Sequence, residues 1–245
     1  MKTYLRSVVL EVKTAPKTEF PFTLPLFQKD WQLDFTTPIT FILGDNGTGK
    51  STLLENLAYN IGFNILGGSE DHFYKNEEVF DSALLSNYIK LTWNEKIKKG
   101  FFFRAENFLN FSSYIDEVAK EKPSTYLGYG GKSLQKVSHG ESFLELFKNK
   151  FRKTGIFLLD EPEAALSPER QLSLISILNT ASKNGCQFII STHSPLLIAV
   201  PNAKIYEIED GKLVEKSFED TKQFFLYKTF INNPERYLKY LCNDD

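Results

Sequence analysis

Gly44-Asp45-Asn46-Gly47-Thr48-Gly49-Lys50-Ser51-Thr52 decides the reading of this chain. A glycine, four residues and then Gly-Lys-Ser is the spacing of a phosphate-binding loop. The context agrees. An apolar run, Pro38-Ile39-Thr40-Phe41-Ile42-Leu43, precedes it and reads as a buried strand, and a helical run from Ser51 to Ile61 follows. Glycines let the backbone turn tightly and aim N–H groups at phosphate oxygens. The helix adds the positive end of its dipole. In such a loop Lys50 reaches the β- and γ-phosphates of a nucleoside triphosphate, and the Ser51 hydroxyl holds Mg2+. An ordinary glycine-rich turn is the bland alternative, and it has no need of the flanking strand and helix.

Composition sets outer bounds. The 245 residues allow one large domain or two small ones. Hydrophobic content of 42% and charged content of 24% are ordinary for a soluble globular protein. A formal net charge of −2 offers no global basic field, so any nucleic-acid contact has to come from a local patch. Cys186 and Cys242 stand far apart, which fits a reducing compartment without a disulfide framework. Cys186 opens an apolar run and reads as a small core residue. No apolar stretch reaches membrane-spanning length, and Met1 to Arg6 leads into an alternating segment rather than a signal-peptide core. A cytoplasmic protein is expected, without membrane insertion.

Tyr4 to Val12 and Trp31 to Phe35 alternate as strands do, with an irregular Pro- and Phe-rich loop, Thr14 to Gln28, between them. Gly67-Gly68-Ser69 reads as a mobile turn. Ile89 to Trp93 and Gly100 to Arg104 look like strands paired around a Lys-rich turn. The run Phe101-Phe102-Phe103 reads as buried strand in preference to a base-stacking platform. Asn107 to Lys120 is expected as a helix with Phe108, Phe111, Ile115 and Val118 on one side, followed by a Gly-rich loop from Pro123 to Gly131. Helices are also expected at Glu141 to Arg152, Pro168 to Thr180, from about Thr221, and after Pro234. Ile156 to Leu159 and Phe188 to Ser191 are further strands, and Ile205 to Ile208 with Lys212 to Glu215 a hairpin around Asp210-Gly211.

Three further motifs fall at the ends of these elements. The strand Ile156-Phe157-Leu158-Leu159 ends in Asp160-Glu161. Ionised groups there need a charged partner. In phosphate-loop enzymes the first acid, Asp160, holds Mg2+ through the water shell of the metal, and the second, Glu161, is placed to orient and deprotonate water. A solvated acidic turn is the alternative. Ser191-Thr192-His193-Ser194-Pro195 follows the next strand, at the sheet edge where open α/β folds bind ligands, and His193 can hydrogen-bond a γ-phosphate or the water. Ser138-His139-Gly140-Glu141 precedes a helix. Ser138 with Glu141 three residues on is a capping box, and capping leaves other N–H groups free for an anion.

Taken together, Gly44-x-Asn46-Gly47-x-Gly49-Lys50-Ser51-Thr52, Ser138-x-Gly140-Glu141, Asp160-Glu161-Pro162 and His193 resemble, in order and approximate spacing, the motifs of ABC-superfamily ATPases. The stretches Phe103-Arg104-Ala105-Glu106-Asn107-Phe108 and Asp160 to Pro168 look closest to small stand-alone ATPases related to SMC-type and RecF-type heads. The resemblance implies a P-loop α/β core with a mainly parallel sheet, an antiparallel β subdomain, and a helical signature lobe at about 105–153 inserted in a single domain, 1–245. It implies ATP and Mg2+ as cofactors, with Gly44 to Thr52, Ser138 and Gly140 binding nucleotide, Ser51 and Asp160 at the metal, and Lys50, Glu161 and His193 in catalysis. Ser138 and Gly140 would touch a γ-phosphate held by a second copy, so ATP would close a homodimer. Arg104 to Glu106 stand where the family has its Q-loop, without a Gln; Ala165, Leu166 and Ser167 match the D-loop, with Ser167 in place of Asp.

An ATP-hydrolysing molecular switch is therefore the leading expectation, with DNA repair or defence the setting that the resemblance suggests. The alternatives are the ATP-binding subunit of a membrane transporter and a nucleic-acid-binding module contacting phosphates through Lys96-Lys98-Lys99 or Lys148-Lys150-Arg152-Lys153. Tyr4, Phe22, Phe27 and Trp31 are the aromatics weighed for adenine, and each also suits core or loop packing.

Overall fold

The computed structural model describes residues 2–65, 68, 82–129, 131, 133 and 139–242. Among these residues, nine strands lie in two sheets. Leu5–Leu10 (β1), Trp31–Asp34 (β2) and Ile89–Trp93 (β4) form an antiparallel sheet in the order β2-β1-β4. Ile39–Leu43 (β3), Gly100–Arg104 (β5), Gly155–Asp160 (β6), Cys186–Ser191 (β7), Lys204–Glu209 (β8) and Lys212–Lys216 (β9) form the second sheet, in the order β5-β6-β7-β3-β8-β9. The neighbours from β5 to β8 are parallel, and the β8–β9 hairpin adds one antiparallel edge. This is the α/β, mainly parallel core with an antiparallel companion that the sequence implied.

One expectation is overturned. β4 and β5 do not pair with each other: β4 joins β1, whereas β5 joins β6 in the other sheet. Burial explains the split. Phe101, Phe102 and Phe103 are all buried, which a strand achieves only inside a sheet covered on both faces. Ile89 to Trp93 alternates with exposed residues and suits a sheet with one wet face. The Lys-rich stretch between them crosses from sheet to sheet.

Alternation along the parallel strands sends side chains into two cores. Phe41, Phe101, Phe103, Phe157, Leu159, Phe188 and Ile190 face one; Ile42, Phe102, Ile156, Leu158 and Ile189 face the other. The second core takes the apolar stripe of Lys50–Ile61 (α1), namely Leu53, Leu54, Leu57 and Ala58, and the inner face of the antiparallel sheet. α1 is thereby clamped between the two sheets. Gln187, fully buried on β7, ties them: its Oε1 accepts from the N–H groups of Tyr4 (2.7 Å) and Leu5 (2.9 Å), and its Nε2 donates to Leu5 O at 2.9 Å.

The first core takes Phe108–Glu121 (α2), His139–Lys150 (α3) and Pro168–Lys183 (α4). α2 buries Phe108, Phe111, Ile115 and Ala119, with Val118 at the margin. Phe103 lies 4.9 Å, centroid to centroid, from both Phe143 and Phe147, each edge-on. Pro123–Tyr129, expected as a loop, is a 3-10 turn whose Tyr129 ring holds Lys150 Nζ at 3.9 Å. Lys222–Asn232 (α5) and Pro234–Leu241 (α6) close the chain; Thr221 caps α5 by accepting from the Phe224 N–H. The turn at Gly67 to Ser69 falls, apart from Gly68, outside the described residues; Gly68 bridges Phe102.

Candidate nucleotide-binding site

β3 delivers residues 44–52 to the carboxyl edge of the parallel sheet, and α1 begins inside that stretch. Gly49, the residue before α1, has φ +101°, and a Cβ there would stand 2.8 Å from the Phe27 ring. Gly47 has φ +76° at the apex. Only glycine adopts both conformations freely. The loop thus forms a tight turn that holds its backbone against Phe27 and Leu24. The first N–H groups of α1 have no partner within the helix and open onto a cleft of about 400 Å³ lined by Phe20, Leu24, Asn46, Gly47, Gly49 to Thr52 and Glu161. Lys50 is 5% exposed, and its Nζ donates to Gly44 O at 2.8 Å and Asp45 O at 3.0 Å. Burial pushes the Lys50 pKa down, against the pull of Glu161, Asp160 and Asp45. Thr48 braces the loop by donating to Asp45 O at 2.8 Å.

Beside the cleft, strand register assembles a second group of side chains. Arg104 lies opposite Asp160, and Asp160 opposite Ser191, at the ends of three adjacent parallel strands. Asp160 Oδ1 accepts a hydrogen bond from Ser191 and another from Ser51 Oγ at 3.2 Å. Burial raises the Asp160 pKa, and these hydroxyls with Arg104 oppose the rise. Glu161 has φ +49°, a left-handed conformation uncommon for this residue type, of the kind concentrated at functional sites. The Glu161 N–H donates to Ser191 O at 3.1 Å, and the carboxylate opens onto the cleft beside Lys50 and Ser51.

His193 Nε2 lies 3.6 Å from Glu161 Oε1. Burial and then the Lys50 charge lower the His193 pKa, so the imidazole is neutral near pH 7. Its backbone is fixed by Glu163, whose Oε1 accepts the His193 N–H at 2.7 Å and whose own pKa is raised by burial. Ser51 and Asp160 fit a hard divalent cation: two oxygen donors, already in contact, next to the glycine-rich loop.

Residues 44 to 52, Asp160, Glu161 and His193 thus share one sheet edge. Ser138 lies outside the described residues, and Gly140 belongs to the first turn of α3. Tyr4, Phe22 and Phe27 are core, and the Trp31 indole donates to Leu26 O at 2.8 Å. The aromatic at the cleft is Phe20, 50% exposed, which the sequence reading passed over. Its only signal was membership of the Phe-rich loop. Ser191 and Glu163 were also missed as supports, being visible only once the register is known.

A family profile described as "AAA domain, putative AbiEii toxin, Type IV TA system" matches residues 147–199, the stretch from α3 through Asp160 to His193. The chain is 26% identical over 194 residues to the L-arabinose transport ATP-binding protein AraG of Geobacillus stearothermophilus, covering 71% of this chain and 37% of that protein. It is 34% identical over 122 residues to the OLD nuclease of Thermus scotoductus, 49% of this chain and 21% of that one. The chain thus spans about a third or less of the length of these curated relatives. In fold it is similar to the SMC head bound to the C-winged helix domain of ScpA (TM-score 0.54, 15% identity, 89% of this chain and 98% of that one). It is likewise similar to CbiO1 of Clostridium perfringens, part of the ABC transporter complex CbiONQ (TM-score 0.56, 17% identity, 95% and 97%). With the phosphate loop and the acid-ended strand on one sheet edge, these matches show a P-loop α/β fold similar to that of ABC-type ATP-binding proteins and of the SMC head.

Proposed function

We propose that the chain is an Mg2+-dependent ATPase that works as a switch, with two ATP-bound copies pairing head to tail. The observation that most supports this reading is that Lys50, Ser51 and Glu161 line one cleft. The N–H groups of residues 46–52 and the Lys50 ammonium hold the β- and γ-phosphates, with Nζ exchanging its carbonyl partners for phosphate oxygens. Mg2+ held by Ser51 and Asp160 would neutralise charge building on the phosphoryl oxygens. Glu161 orients and deprotonates the attacking water. His193, uncharged, hydrogen-bonds that water or the γ-phosphate. Phe20 stacks on the base at the outer end of the cleft. Ser138 and Gly140 of one copy meet the γ-phosphate in the other, which gives ATP a differential contact with the paired state.

Size-exclusion chromatography with light scattering, beside a turnover assay, tests this. The Glu161→Gln variant is expected to lose turnover and to elute as a dimer only with ATP. Unchanged turnover, or no ATP-dependent mass change, contradicts the reading.

The likeness to AraG favours a second reading, the ATP-binding subunit of a transporter with a separate permease. No described helix is long and apolar enough to cross a membrane. Co-purification with an integral membrane protein would support that reading. A role on nucleic acid, in repair or defence, draws on the OLD nuclease likeness and on the basic residues Lys148 and Arg152 beside the groove between α3 and α4. Salt-sensitive stimulation of ATP turnover by DNA or RNA is its test.

A further inference from the structure

A charge cluster at the end of β5 sets Asp160 against Arg104, Glu55 and Glu106, three groups that the nucleotide reading does not use. The Arg104 side chain is 12% exposed and faces carboxylates from three elements. Nη2 lies 2.9 Å from Glu55 Oε1 on α1 and pairs with Glu106 in the turn into α2. Nε lies 3.9 Å from Asp160 Oδ2 on β6. Nη1 reaches Ile65 O at 3.5 Å. Nε has no hydrogen-bond partner among the described residues, so the contact with Asp160 is charge against charge at long range.

A carboxylate at the end of a core strand needs a cation nearby. Asp160 has one in Arg104 before any metal arrives. A guanidinium has no lone pair to offer a metal and repels it. A glutamine at this position would offer a carbonyl oxygen; the arginine competes instead.

We propose that Arg104 is a resident counter-ion that Asp160 exchanges for the divalent metal, the guanidinium keeping Glu55 and Glu106 as its partners when metal loads at Ser51 and Asp160. Arg104 is a positioning residue, acting on the metal through Asp160. The inference rests on the reading of Ser51 and Asp160 as the metal-holding pair.

Mn2+ titrations followed by electron paramagnetic resonance, on the full chain saturated with a non-hydrolysable ATP analogue, test it. Arg104→Gln is expected to bind Mn2+ roughly tenfold more tightly, and Glu55→Gln, which frees Arg104 for Asp160, several-fold more weakly. In both variants metal-free affinity for the analogue should stay near that of the wild type. A merely structural pair predicts weaker metal in both variants, and that result, or no shift in either, overturns the proposal. If Arg104→Gln fails to fold, Glu55→Gln alone decides: equal or tighter Mn2+ binding overturns it. Asp160→Asn separates the two layers. Mn2+ binding indifferent to Asp160 fails the metal-site reading and the exchange together; Asp160-dependent binding that Arg104→Gln leaves unshifted fails the exchange alone.

Discussion

Residues 44–52 build one wall of the site from a single unbroken stretch, whereas the other is pieced together from strand ends, with Glu161 lining the cleft and Asp160, Ser191 and His193 beside it on the same sheet edge. The first wall is a matter of local backbone: two positive-φ glycines and a helix start fix it. The second depends on the register of β5, β6 and β7, since a one-residue slip would turn the Asp160 side chain to the other face of the sheet. Local damage should therefore act on the first wall through binding and loop geometry, and on the second through chemistry.

The largest expected effect lies on the assembled wall. Glu161→Gln should lower steady-state ATP hydrolysis by roughly 10²–10⁴ while leaving nucleotide affinity almost intact. Equal losses in affinity and turnover would blur the distinction between the walls. On the contiguous wall, Lys50→Ala should weaken binding of a fluorescent ATP analogue by about 100-fold or more, because a buried charge that faces phosphate is lost. Gly49→Ala should cost about 1–3 kcal/mol, from positive φ and the clash with Phe27, and lower the melting temperature by several degrees. An unchanged melting temperature would show that the turn tolerates a side chain. Phe20→Ala should weaken ATP roughly tenfold and leave inorganic triphosphate unaffected, since only the base is near the ring.

The smallest effect is one of pH. The His193 pKa is lowered by burial and by Lys50. The folded state therefore takes up this proton less readily than the unfolded chain. Its contribution to stability is whole above the ordinary histidine range and declines as pH falls through that range. Chemical denaturation of wild type and His193→Gln at pH 7.5 and pH 5.5 should show a smaller decline in the variant. Identical declines would remove His193 from the acid-sensitive set.

The same contrast governs what the sequence disclosed. The phosphate loop was legible because every residue of it is adjacent to the next. Asp160, Glu161 and His193 were legible because each follows an apolar run that must end at the sheet edge. Ser191 and Glu163 were not, since a hydroxyl or carboxylate that supports another group leaves no periodic mark. The strand partners of Ile89 to Trp93 were misjudged because closeness along the chain suggested a hairpin, while the burial of Phe101 to Phe103 on both faces required the central sheet. Phe20 was passed over because no periodicity marks a loop aromatic.

A crystal structure with Mg2+ and a non-hydrolysable ATP analogue tests the two-walled cleft most directly. The account predicts the triphosphate along residues 46–52, Lys50 Nζ turned from Gly44 O onto phosphate, the metal at Ser51 and Asp160, and Phe20 against the base. An empty cleft would contradict it. So would a nucleotide seated wholly on the other side of the loop, in the cavity of about 540 Å³ that Asp45 to Thr48 line with Pro25, Ile208, Asp210 and Lys222.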